Sequence, residues 1–205
     1  MRARLAVARY GASLAELAMN AEDLLGESER AYLMRIQRPQ RRAQFFRGRE
    51  LLRYLLIDCD ATADVDDDGR PRIRSTTSLH ASIAHSGDAV AAVVAACPVG
   101  VDIEPARKWR DPAAIEALLD TGGGQSAALR AWVVAEARLK AGGTAGPSTW
   151  RASWNDCEVA LMGVQDPPLT VFFDVATATY NPLELQWQMV QPSDRLPVVD
   201  GDDGR

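Results

Sequence analysis

The amino-acid sequence predicts an α+β fold made of two similar halves. Three observations lead there. Helical patterns followed by runs of short strands occur twice along the chain, in that order. The strand segments are short and separated by turn chemistry, as at Gly69-Arg70-Pro71 and the link over 85–88. The composition, 47% hydrophobic and 25% charged over 205 residues, is that of an ordinary globular protein, long enough for one large domain or two small fused ones. The expected division is 1–107 for the first half and 108–195 for the second, with a polar disordered tail over 196–205. No sequence repeat links the halves, so the duplication rests on the order of elements.

Residues 4–9 read as a strand. Ser13 and Glu16 have capping-box spacing and open a helix over 13–25; Ser28 opens a second helix to 36. Pro39 stands where a first-turn proline is tolerated, and a long helix follows to 57. On that helix Arg42, Arg49 and Arg53 fall within an arc of about 40° at 100° per residue. Residues 61–69 hold four aspartates and read as a loop, with Gly69-Arg70-Pro71 as a turn. Strands over 79–84, 89–96 and 99–103 are expected to form a small antiparallel meander, its first two strands joined by a link over 85–88. A helix over 111–119 precedes the Gly122–Gly124 break. An alanine-rich helix over 126–141 ends at Gly142-Gly143. Four further strands are expected at 150–154, 157–163, 169–175 and 184–190.

Net charge and cysteine usage exclude several classes. A net charge of −5 and a pI near 5.1 argue against a general nucleic-acid binder. Cys59, Cys97 and Cys157 are scattered, without a CxxC pair, as in a reduced cytoplasmic protein. No signal peptide or membrane span is legible.

The chemistry-bearing pattern is Gly100-Val-Asp102-Ile-Glu104 followed by Trp132-Val-Val-Ala-Glu136-Ala-Arg-Leu-Lys140. Two positions apart on a strand, Asp102 and Glu104 share a face. Four apart on a helix, Glu136 and Lys140 share a face. Packed together, they gather three carboxylates and one ammonium. Oxygen-only ligands suit a hard divalent cation, Mg2+ or Mn2+, and such a cation beside a lysine is a device for handling phosphates.

These segments together resemble the Sfp-type 4'-phosphopantetheinyl transferase family. The chain shows, in that family's order, Arg42-Ala-Gln-Phe45 with Gly48-Arg49, Gly69-Arg70-Pro71, Ser82-Ile-Ala-His85-Ser86, the strand ending in Glu104, and the helix carrying Glu136 and Lys140. The resemblance covers about residues 40–143. It implies a pseudo-dimer of two α+β halves, with the active site in the cleft between them. It implies transfer of the 4'-phosphopantetheine arm of coenzyme A onto a serine hydroxyl of an acyl or peptidyl carrier protein, releasing 3',5'-ADP. Carriers of fatty-acid, polyketide or nonribosomal peptide synthesis are the implied partners, and a chain with both halves fused is expected to be a monomer.

In that reading Asp102, Glu104 and Glu136 hold the metal, and Glu136 also takes the serine proton. Lys140 pairs with a coenzyme A phosphate; His85 and Ser86 contact phosphate; Arg42, Arg49 and Arg70 take the 3'-phosphate and pyrophosphate. Arg107, Lys108 and Arg110 form part of a basic rim for an acidic carrier. Two departures from the family pattern, Ala84 and Ala135, remove a hydroxyl and a cation. They motivate the alternative, a catalytically weakened homologue that binds coenzyme A or a carrier protein.

Overall fold

The computed structural model describes residues 1–10, 24–106, 113, 117, 124–143, 148–174 and 179–190. The helices expected over 13–25 and 111–119 fall largely outside these residues. Arg107, Lys108, Arg110 and the tail fall wholly outside them.

The chain opens with β1 (Arg4–Arg9), then α1 (Glu27–Arg35) and α2 (Pro39–Leu56). A hairpin of β2 (Ala61–Val65) and β3 (Pro71–Ser75) follows, then β4 (His80–Ser86), β5 (Ala89–Ala95) and β6 (Gly100–Pro105). Next come α3 (Gly124–Lys140), β7 (Thr149–Trp154), β8 (Cys157–Met162), β9 (Leu169–Asp174), β10 (Thr179–Pro182) and β11 (Gln188–Met189). The fold is mixed α+β, as expected.

Several boundaries differ from the expectation. α1 starts at Glu27, because the Glu29 carboxylate reaches back to accept the Gly26 N–H (3.0 Å), leaving the Ser28 hydroxyl to donate to Asp64. The segment 61–69 is not a loop: Ala61–Val65 pairs with Pro71–Ser75, and its aspartates gather at the turn, where Asp66 accepts the N–H groups of Asp68 and Arg70. His85 and Ser86 are the last residues of β4 rather than a link. The turn is Gly87-Asp88 alone, with Gly87 at φ 60°, the first-position glycine of a II′ hairpin. The strand expected over 184–190 shrinks to β11, and β10 was not foreseen.

The meander is also absent. One sheet has the order β10-β9-β1-β5-β4, the other β11-β7-β8-β6. β6 leaves β5 and pairs antiparallel with β8, while β1 pairs parallel with β9 from the far end of the chain. Both sheets thus mix strands from either side of residue 107.

Side-chain alternation explains the layering. On β1 and β5, Leu5, Val7, Ala91 and Val93 point one way, into a cluster with Val101, Ile103, Val159 and Leu161 of the other sheet. Ala6, Ala8, Val90 and Val94 point the other way, against Leu51, Leu52 and Leu55 of α2. Ala160 and Met162 meet Val133, Val134 and Ala137 of α3. Helix, sheet, sheet and helix therefore stack in that order. β5, covered on both faces, is buried at every position, which accounts for its unbroken run of Ala and Val. Trp150, Trp154 and Trp187 join the cluster between the sheets. Among the described residues no helix is long and apolar enough to cross a membrane.

Candidate functional site

β4 is the edge of one sheet and β6 the edge of the other, and these two edges meet. Side chains stitch the seam. The Val101 N–H donates to Ser82 Oγ (3.2 Å), and the Ser86 hydroxyl donates to the Glu104 carboxylate. An exposed edge is thereby closed.

The strand parity read from the sequence holds. Val101 and Ile103 fill the core between the sheets, so Asp102 and Glu104 lie on the opposite face of β6, the one that α3 covers. Gly100 sets how closely α3 approaches: a Cβ there would lie 1.9 Å from the Ala137 carbonyl oxygen and 2.6 Å from the Ala141 nitrogen. α3 ends directly over this point. The N–H groups of Gly142 and Gly143 donate to the carbonyls of Leu139 and Arg138, the paired bonds of a Schellman cap. That placement brings the Lys140 ammonium to Asp102 Oδ1 at 2.5 Å.

Asp102 is only 4% exposed, and its second oxygen, Oδ2, is buried without a hydrogen-bond partner. Burial holds the Asp102 carboxyl above its ordinary range, and the charge of Glu136 adds to this against the pull of Lys140. Glu104 is raised too, by burial first and then by Asp102 and Glu136, with the Ser86 hydrogen bond opposing. Three acids therefore feel one another, and one ammonium answers them.

Beside this cluster opens a cavity of about 630 Å³. α3 contributes Glu136, Leu139 and Lys140; β4 contributes Ser82 and His85; α2 contributes Arg41, Phe45 and Arg49. Gly69 and Arg70 of the β2–β3 turn, with Asp66 and Asp68 beside them, and Tyr32 of α1 also line it. His85 lies 3.0 Å from an Arg41 guanidinium nitrogen. Burial, then the charges of Arg41 and Lys140, push its pKa down to about 4, so it is neutral at pH 7. Arg49 is 1% exposed. Its Nη2 donates to the Gly69 carbonyl (2.9 Å) and its Nε faces Glu29 at 3.6 Å, while Nη1 has no hydrogen-bond partner. Burial lowers its pKa to about 10, with Glu29 opposing.

Of the residues selected from the sequence, Arg49, Arg70, His85, Glu136 and Lys140 share this cavity, with Asp102, Glu104 and Ser86 at the adjoining seam. Arg42 does not join them. Its guanidinium donates to the Leu33 carbonyl (2.9 Å) at the end of α1. The arginine arc on α2 is chiefly a clamp on α1, since Arg53 also binds Glu29, which is wholly buried. Arg41, missed in the sequence, takes the cavity position instead. Nothing in its spacing separates it from Arg42; only the pose of α1 does.

The two departures also find places. Ala84 is 2% exposed within the cluster between the sheets, and Ala135 does not line the cavity. Neither position faces the pocket wall.

Oxygen donors, a buried carboxylate oxygen without a partner and mutual repulsion among the acids fit a hard cation. The carboxylates do not close into a ligand set, however. Among the described residues no three His, Cys, Asp or Glu side chains are grouped to hold a metal ion, and what touches Asp102 is Lys140. No family model matches the chain, and no curated protein matches it.

Proposed function

We propose that this protein transfers the 4'-phosphopantetheine arm of coenzyme A to a serine hydroxyl of an acyl or peptidyl carrier protein, releasing 3',5'-ADP. One observation carries the reading: motifs spread over a hundred residues of sequence contribute to one cavity and the seam beside it. The paired strand–helix–hairpin units also support the pseudo-dimer fold of the resembled family. β1, α2 and β4–β5 give the order β4-β5-β1, and β6, α3 and β7–β8 give β7-β8-β6.

Asp102, Glu104 and Glu136 would hold Mg2+ or Mn2+, which when bound supplies positive charge against the diphosphate. Lys140, Arg41, Arg49 and Arg70 line the cavity as donors for phosphate oxygens. Neutral His85 adds a hydrogen-bond donor without another charge. Glu136 takes the proton of the carrier serine as its oxygen bonds to the β-phosphorus and the bond to the 3',5'-ADP oxygen breaks.

The second reading, a homologue that binds coenzyme A or a carrier protein without turnover, draws on the absence of a closed carboxylate set among the described residues. Incubation of apo carrier proteins with coenzyme A, Mg2+ and this chain, followed by intact-mass measurement, separates the two. Addition of the arm supports transfer. Coenzyme A binding with no addition to any carrier supports the second reading.

A further inference from the structure

We infer that Lys140 is a built-in counter-ion: its ammonium holds the cation position of the Asp102–Glu104–Glu136 cluster and is expelled into the cavity when a divalent cation binds. The inference rests on the proposed cation site but not on arm transfer.

The ammonium lies 2.5 Å from Asp102 Oδ1, while Oδ2 of the same 4%-exposed carboxylate stays open. Lys140 itself is 31% exposed at its side chain, so one end of its range is the cluster and the other is solvent in the cavity. The choice of residue is informative. Of the chain's 23 lysines and arginines only Lys108 and Lys140 are lysines. A guanidinium would fix a carboxylate through a planar fork, whereas an ammonium is a compact point charge on a flexible stem that one swing can release. Once expelled, it would stand on the wall that already carries Arg41, Arg49 and Arg70, adding a charge for an anionic ligand. Cation and anion binding are then linked, and the linkage is reciprocal.

The two-lysine composition gives a clean test. The full-length protein is acetylated with an amine-reactive ester across a Mn2+ titration, and the rates at Lys140 and Lys108 are read by peptide mass spectrometry. Bound Mn2+ is counted in parallel by electron paramagnetic resonance, for wild type and Lys140→Met. Saturating Mn2+ should speed Lys140 acetylation at least about fivefold relative to Lys108. Lys140→Met should bind Mn2+ at least about fivefold more tightly than wild type, because the competing charge is gone. Mn2+ bound by wild type with the Lys140 rate unchanged would overturn the counter-ion role and leave the cation site standing. No Mn2+ bound by either protein would overturn the inference and the cation site together. The labelling arm uses wild type alone and stands even if Lys140→Met does not fold.

Discussion

A single methyl group added at Gly100 tests whether the seat of α3 on β6 builds the site. In Gly100→Ala the new Cβ would begin 1.9 Å from the Ala137 carbonyl oxygen and 2.6 Å from the Ala141 nitrogen. Both are backbone atoms, so no rotamer change gives relief. Contacts of this kind do not fall below 3.0 Å, so α3 must retreat by at least about 1.1 Å, the difference between 3.0 and 1.9 Å. Overpacking of this sort costs about 1–3 kcal/mol, and the upper end applies because a whole helix has to move. The same shift would take the Lys140–Asp102 contact from 2.5 Å to about 3.6 Å, outside hydrogen-bond range. A misplacement of about 1 Å at a reacting centre costs roughly a hundredfold in rate. Urea unfolding gives the stability change from the midpoint at constant slope. Arm transfer, or Mn2+ affinity, gives the site effect. Gly124→Ala is the control: at the far end of α3 it stands at φ 77° with open space around it, so it should cost about 1 kcal/mol and leave the site working. An unchanged midpoint and unchanged site behaviour in Gly100→Ala would refute the packing argument.

Other perturbations have equally definite outcomes. Glu136→Gln should lower transfer about 100- to 10,000-fold, the usual worth of a general base, while circular dichroism shows an unaltered fold; retained transfer would remove Glu136 from the chemistry. Glu29→Gln leaves Arg49, 1% exposed, without its buried counter-charge, and should cost about 3–5 kcal/mol in urea unfolding; a cost under about 1 kcal/mol would mean the clamp on α1 is held by packing alone. His85, depressed from 6.5 to about 4, protonates more readily unfolded than folded. Its contribution is therefore complete above pH 6.5 and declines as pH falls toward 4, by at most about 3 kcal/mol before solvent screening. The stability difference between wild type and His85→Gln should shrink or reverse over that window, and a difference constant with pH would contradict the burial of His85.

The sequence made some of this architecture legible and hid the rest for physical reasons. The period-2 reading of 100–104 placed Asp102 and Glu104 on one face because core residues Val101 and Ile103 leave them no alternative. The Gly142-Gly143 cap was readable because its geometry is local. The exchange of β6 and β9 between sheets was not, since pairing between strands far apart along the chain leaves no mark in a short window. The β2–β3 hairpin reads as a loop in the sequence because its aspartates mask five residues of pairing. In the site, Arg42 and Arg41 were exchanged: both are one helix position from each other, and only the docking of α1 decides which one is used as a clamp. The close pairing of Lys140 with Asp102 depends on the approach that Gly100 permits, a feature that requires coordinates to see.

Intact-mass measurement of apo carrier proteins after incubation with the chain, coenzyme A and Mg2+ tests the proposed activity most directly. The carrier should gain one phosphopantetheine arm, and a chelator or Glu136→Gln should prevent the gain. Carriers that stay unmodified across acyl and peptidyl types, with no coenzyme A retained by the protein, would contradict the assignment of this cavity to arm transfer.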